Sequence, residues 1–223
     1  MNNAIIRGKH IKYTGKDEFW KLCEANALEP ESFDVLDKYI KKKKTFVDIG
    51  AWCGVLSLYA QKLGAKVYSC EPDPVAFASL DANDSLNGEK LNLVPCAISD
   101  KNGKVLLNTQ SGFGNSESSL NVRGSVAKEI EVVSMTIGNL IEVCELKNIC
   151  LIKIDVEGGE EKIMNRETSA MLAKAGNPPI LLAVHPAWMN NFNMFMQNLL
   201  LWFPQYNFDL IAKDTYLCTS VSA

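Results

Sequence analysis

Two histidines in 223 residues, and seven cysteines at positions 23, 53, 70, 96, 144, 150 and 218 with no C-x-x-C pair, leave no ligand spacing for a zinc site. The odd, scattered cysteine set also argues against a disulfide framework and for reduced, mostly buried thiols in a cytoplasmic protein. No segment approaches the ~20 apolar residues of a membrane helix, and Met1 to Arg7 lacks the apolar stretch of a signal peptide. No membrane partner is therefore expected. Lys and Arg number 23 against 26 Asp and Glu, a formal net charge of −3, which excludes a large sequence-independent nucleic-acid surface. The single charge run, Lys41 to Lys44, is read as a solvated helix end. The dinucleotide fingerprint G-x-G-x-x-G and the phosphate-loop G-K-[ST] are both missing, and there is no internal repeat.

What is present is a globular composition, 47% hydrophobic and 22% charged, enough for one domain with one buried core. Helical spacing marks residues 17 to 28, with Phe19, Cys23 and Ala27 on one stripe, and 30 to 41, with Phe33, Leu36 and Ile40 on another. These predict an N-terminal helical extension, residues 1–44, packed on a core domain, 45–223, and covering one rim of its site. From residue 45 strands and helices alternate: strand 45 to 49, helix 54 to 63, strand 66 to 71, helix 74 to 86, strand 91 to 98. Asp73 as N-cap, Pro74 at the first position and Asn87-Gly88 at the end punctuate the second helix. Strands at 103 to 109 and 129 to 135 flank a polar stretch, Gln110 to Ser119, predicted to be a flexible loop over the acceptor side. A helix at 138 to 146, strand 149 to 155, a helix from 159, strand 179 to 185, helix 193 to 203 and strands 206 to 212 and 215 to 221 complete the chain. The class is α/β, a mostly parallel, doubly wound sheet ending in an antiparallel strand pair.

The most informative run is Phe46-Val47-Asp48-Ile49-Gly50-Ala51-Trp52-Cys53-Gly54, with Cys70-Glu71-Pro72-Asp73 about twenty residues on. A strand that turns sharply into a helix needs Gly50 and Gly54 to clear the turn and the approach of a ligand. Glu71, at the end of the next strand, is placed to accept two ribose hydroxyls. A G-x-x-x-G turn without pyrophosphate signatures favours an adenosine ligand that carries no diphosphate, of which S-adenosylmethionine is the common one. The predicted cofactor contacts are Asp48, Gly50, Trp52, Gly54, Glu71, Pro72, Cys96, Ala97 and Asp155, with the adenine between Pro72 and the Cys96-Ala97 backbone.

The segments VDIGAWCGVLSLYA, CEPDP, VPCAISDKNGK, GFGNSESSL and LIKIDVEGGEEKIM, in that order, resemble the FkbM-type S-adenosylmethionine-dependent methyltransferases over roughly residues 45 to 186. The most specific is Ile152-Lys153-Ile154-Asp155-Val156-Glu157-Gly158. The resemblance implies a Rossmann-like class I methyltransferase fold and, most often, methylation of a hydroxyl on a sugar or small natural product, so that the partner is a small-molecule or glycan acceptor. The chain departs from the family pattern at Trp52 and Cys53, where many relatives have Asn-x, and at Ala183, where an acid often precedes His-Pro. An asparagine contact to the ligand is lost there, while the backbone cradle survives.

Methyl transfer to oxygen requires alignment and the loss of one proton. Asp155 and Glu157, just past the fourth strand of the core, and His185, at the end of the fifth, are the catalytic candidates, since ligands bind at the carboxyl ends of such strands. An ordinary imidazole pKa of ~6.5 would make His185 a usable base. Asp155, Glu157 and Asp48 offer hard oxygen ligands, but no spacing fixes a metal and none is expected. N- or carboxyl methylation, or a catalytically silent binding module, are the alternatives.

Overall fold

The computed structural model describes residues 2–15, 17–116, 118–121 and 128–221. Glu117 of the predicted loop lies outside them. The chain opens with a hairpin, β1 (Asn2–Ile6) and β2 (Lys9–Tyr13), paired antiparallel from Asn2↔Tyr13 to Ile6↔Lys9. The prediction of a purely helical N-terminal extension is thus corrected. Its signal was legible: Ala4, Ile6, Ile11 and Tyr13 are buried at alternate positions, around the two-residue turn Arg7-Gly8, both in the left-handed region as a hairpin turn of this length demands. Helices α1 (Asp17–Glu24) and α2 (Pro30–Tyr39) follow. The first ends earlier than predicted and buries Trp20 and Cys23, with Ala27 left exposed beyond it. Tyr13 stacks on Trp20 with ring centroids 4.6 Å apart, which binds hairpin to helix.

The alternating region runs β3 (Thr45–Ile49), α3 (Val55–Lys62), β4 (Lys66–Cys70), α4 (Pro74–Asn87), β5 (Asn92–Val94) and β6 (Ala97–Ile98). The predicted strand 91 to 98 is therefore two. Pro95 has no N–H to offer a ladder, and Cys96 N donates back to Val94 O at 2.9 Å, so the chain leaves one sheet and enters another. Next come β7 (Gly103–Thr109), β8 (Lys128–Met135), α5 (Ile137–Val143) and β9 (Ile149–Ile154). The single helix predicted from 159 is divided into α6 (Glu160–Ile163) and α7 (Arg166–Lys174), because Asn165 breaks out to cap the latter, accepting from Thr168 N at 2.9 Å. The rest is β10 (Ile180–Ala183), α8 (Phe192–Trp202), β11 (Tyr206–Ala212) and β12 (Thr215–Ser220).

The main sheet has the order β11-β12-β10-β9-β3-β4-β5, parallel from β10 to β5 and antiparallel at β12 and β11. β6, β8 and β7 form a small second sheet. Side chains of the main strands alternate between two buried clusters. Val47, Ile49, Tyr68, Cys70, Ile152 and Ile154 face the side of α5, α7 and α8. Phe46, Val67, Leu151 and Leu181 face the hairpin, α1, α2 and α3. Both faces are covered, as parallel strands require. Among the described residues no helix is long and apolar enough to cross a membrane.

Candidate active site

One cavity of about 1010 Å³ opens at the carboxyl ends of the parallel strands, at the upper end of the volume range of ligand pockets. Sheet order divides its lining. On the β4 and β5 side lie Glu71, Pro72, Cys96 and Ala97; on the β9 and β10 side lie Asp155, Glu157 and His185; Asp48, Gly50 and Trp52 stand between them, at and just beyond the end of β3. Gly54 starts α3 with φ 88° and is absent from the lining. The other predicted site residues converge on this cavity.

Glu71 is 6% exposed, and each of its oxygens takes one backbone donor, Oε2 from Trp52 N at 2.8 Å and Oε1 from Asp73 N at 2.9 Å. Burial pushes its pKa up to about 7, against the lowering effect of these two N–H groups, with the charge of Asp73 adding to the rise. Because the folded value lies above the ordinary ~4.3 of an exposed glutamate, the neutral form stabilises the fold. That contribution is complete below about pH 4 and is lost as pH rises through 7, on the order of 3 kcal/mol in all. Urea unfolding across this window is expected to show falling stability toward pH 8 in the native protein and a flatter profile in Glu71→Gln; parallel profiles would refute the assignment.

Trp52 holds an unusual conformation for a bulky residue, φ 47°, in the region that asparagine tolerates best. Three contacts compensate: its N–H to Glu71, its indole Nε1 donating to Gly114 O at 3.0 Å, and an edge-on packing against Phe19 of α1 at 4.6 Å. The indole thereby couples the N-terminal segment to the turn after β3. The polar loop is held on this same side. Asp73, fully buried, accepts from Val75 N and Ala76 N through Oδ1, and from Gly114 N and Ser118 Oγ, both at 2.7 Å, through Oδ2. The predicted flexible loop is anchored in its described residues on both sides of the cavity, beside Glu71 through Asp73 and on the acceptor side through Ser119 Oγ, which donates to the carbonyl of Glu157.

Asp48 is 1% exposed; its Oδ2 accepts from Ser57 Oγ at 2.6 Å, and Oδ1 lies 3.3 Å from Lys153 Nζ. Its carboxylate thus faces protein partners inside the turn. Lys153 was given no role from sequence, although it sits in the most specific motif. It spans Asp48 and Asp155, each at 3.3 Å, and donates to Gly50 O at 2.9 Å. Burial opposes its charge, but Asp155, Asp48 and Glu29 outweigh that and hold the ammonium above its ordinary range.

On the opposite side His185 Nε2 lies 3.6 Å from both Asp155 Oδ1 and Glu157 Oε2, while Nδ1 donates to Glu160 Oε1 at 3.0 Å. Glu160 is fully buried at the start of α6, and the same oxygen accepts from Val156 N at 3.0 Å. Sequence reasoning passed over it; the only signal was an acid at the head of a helix, which reads equally as a dipole contact. Burial disfavours a charged His185, but the hydrogen bond to Glu160 and the charges of Glu160, Asp155 and Glu157 raise its pKa to about 9. The expectation of an imidazole titrating near its ordinary value is corrected: with a pKa raised to about 9, this ring is protonated at neutral pH.

The sequence model of the methyltransferase FkbM domain matches residues 46–210. Among curated proteins, the ribosomal protein L11 methyltransferase of Clostridium perfringens is 41% identical over 75 residues, 33% of this chain and 21% of that protein. That of Helicobacter hepaticus is 45% identical over 49 residues, 22% of this chain and 16% of that protein. The chain thus matches between about a sixth and a fifth of the length of these relatives. The crystal structure of precorrin-6y C5,15-methyltransferase from Geobacter metallireducens superposes with a TM-score of 0.51 at 12% identity, covering 87% of this chain and 89% of that one; at this identity the likeness is one of fold, the class I methyltransferase architecture.

Proposed function

This chain belongs to the methyltransferase FkbM domain family, and from that premise we propose that it transfers a methyl group from S-adenosylmethionine to a hydroxyl of a sugar or small natural product. The observation that carries the reading is the two-sided cavity, with a ribose-type acceptor carboxylate on one side and a carboxylate–histidine cluster on the other, set apart by the end of β3. Glu71 keeps unused lone pairs on both oxygens beyond its two backbone contacts, which suits a pair of ribose hydroxyls. Pro72, Cys96 and Ala97 supply a flat, largely apolar wall for the adenine, and Gly50 and Trp52 the backbone edge between. Bound S-adenosylmethionine supplies an electrophilic methyl group on sulfonium. Asp155, Glu157 and His185 orient the acceptor hydroxyl, and Asp155 or Glu157 receives its proton as the new C–O bond forms while the protonated ring of His185 holds the acceptor oxygen; the pair of the broken C–S bond stays on sulfur.

The cavity's volume accommodates a small acceptor beside the cofactor. Asp17, Glu18, Glu29 and Glu31 also line it, and with a net charge of −3 this acidic lining opposes a phosphate backbone. Residues 1–44 form an extension that completes the cavity from one side, packed on the domain of residues 45–223. Titration calorimetry with S-adenosylmethionine, followed by a turnover screen over sugar, polyketide, amine and carboxylate acceptors, tests the reading. Binding with methylated hydroxyl product is the expected result; an N- or carboxyl-methylated product replaces the acceptor class, and binding with no turnover leaves a binding module. Alanine variants of Glu157 and His185 are expected to keep cofactor affinity within a few-fold, Asp155→Ala to weaken it as a cofactor contact, and the residue that takes the proton to lose ~10²–10⁴-fold in kcat. Three near-native rates would leave alignment as the source of catalysis.

A further inference from the structure

We propose that Asp155, Glu157 and His185 form a binding site for a divalent metal ion whose open position takes the acceptor's hydroxyl, an inference that rests on the methyl-transfer reading above. One donor atom from each residue can be chosen so that all three lie within 4.8 Å of one another, and His185 Nε2 is 3.6 Å from each carboxylate oxygen. Donor atoms around a tetrahedral ion with bonds of ~2.0–2.2 Å stand about 3.4 Å apart, so the two histidine–carboxylate pairs, at 3.6 Å, are close to ligand spacing and the two carboxylates, within 4.8 Å, need to close by no more than roughly 1.4 Å. Three protein ligands with a fourth position facing a cavity is the pattern of a catalytic rather than a structural metal.

The arrangement behind the ring points the same way. Glu160, fully buried, takes the Nδ1 proton and is itself fixed by Val156 N. A carboxylate in this position sets the tautomer that leaves the Nε2 lone pair for a metal and makes it a stronger ligand. The other oxygen of Glu160 has no hydrogen-bond partner among the described residues, so the hydrogen bonds of this carboxyl go to the imidazole and to Val156 N alone. Lys153 does not occupy the site: it approaches Asp155 at Oδ2 and neutralises Asp48, while Oδ1 of Asp155 faces His185. Asp155 and Glu157 then offer one dication two carboxylate ligands beside the imidazole. Ligands separated by thirty residues in sequence meet only because β9 and β10 are neighbours, which is why no spacing rule suggested the site.

In the deepened reading the ion draws in the acceptor hydroxyl and lowers its pKa. With the three side chains holding the ion rather than taking the proton, that proton is released to water instead of to a carboxylate, the oxygen takes the methyl carbon, and the electron pair of the broken C–S bond remains on sulfur; no oxidant or reductant is involved.

The test is a Mn²⁺ titration of the full chain after chelator treatment, with free Mn²⁺ read by electron paramagnetic resonance; Mn²⁺ is used because the seven thiols compete poorly for it. One stoichiometric site is expected. Glu157→Gln and His185→Ala are expected to weaken it by at least about tenfold, and Glu160→Gln, which would touch no ion, by ~10–100-fold, each with unchanged S-adenosylmethionine affinity and thermal unfolding close to that of the native chain. Absence of stoichiometric Mn²⁺ binding at millimolar concentration, or binding that these folded variants leave unchanged, overturns the metal site. Cofactor binding without Mn²⁺ binding sinks this inference alone, whereas failure to bind the cofactor sinks the functional reading.

Discussion

Gly50→Ala is expected to lose at least about 4 kcal/mol of stability, among the largest effects a single methyl can have. The residue sits at φ 80°, and a Cβ placed there would lie 1.8 Å from the carbonyl oxygen and 2.9 Å from the carbonyl carbon of Asp155. Backbone cannot swing aside as a side-chain tip can. Gly50 N donates to Cys70 O at 3.0 Å, its own carbonyl accepts from Lys153, and Asp155 N donates to Ile49 O at 3.1 Å. Relief therefore means parting the ends of β3 and β9 where the cavity is built. Gly8→Ala separates the contributions, because Gly8 has a similar φ of 76° and nothing within 4 Å of its added Cβ. It should cost only the conformational strain, about 1–3 kcal/mol. Urea unfolding of both variants checks this, and a Gly50→Ala midpoint close to that of Gly8→Ala would show that the two strands can part without cost.

Lys153→Met is the second large expected effect, a loss of ~3–5 kcal/mol, the range for breaking a buried ion pair from one side. The apolar replacement has nearly the right length, but it leaves Asp48, 1% exposed, with only the Ser57 hydroxyl, and it frees Asp155 toward the cavity. The penalty comes from the stranded carboxylate more than from the lost attraction, so removing that charge should recover much of it. The double variant Asp48→Asn/Lys153→Met is accordingly expected to be more stable than Lys153→Met alone, with a coupling of at least about 1 kcal/mol in a double-mutant cycle. Strict additivity would mean that Asp48 finds another partner and that Lys153 is not the keystone of this turn.

The elements that the sequence placed well are those whose signals are local. After Thr45, strand β3 carries an apolar run broken only by Asp48, and α4 has a side-chain cap in Asp73, a proline at its first position and a left-handed Gly88 at its end; each of these acts within four residues. The hairpin at the N-terminus is equally local, in its alternation and its Arg7-Gly8 turn, but its two five-residue strands are a weaker signal than the helical spacing that follows them. Splitting residues 91 to 98 between two sheets was less accessible, since Pro95 announces a break but not the destination of the strand beyond it.

For the site, the sequence by itself determined the glycine turn after β3, the acid after β4 and the presence of Asp155 and Glu157 after β9, because backbone geometry at a strand end restricts which residues can stand there. Tertiary structure alone decided what those residues face. Lys153 becomes the counter-ion of two carboxylates and Glu160 the clamp of His185 only through the pairing of β3 with β9 and of β9 with β10. Trp52 is held at the cavity's edge by groups distant in sequence, Phe19 of α1, Glu71 and Gly114. Charges, hydrogen bonds and ring contacts act over a few ångströms in space, whatever their separation along the chain, and so the chemistry of this cavity was settled by the sheet order and not by any motif.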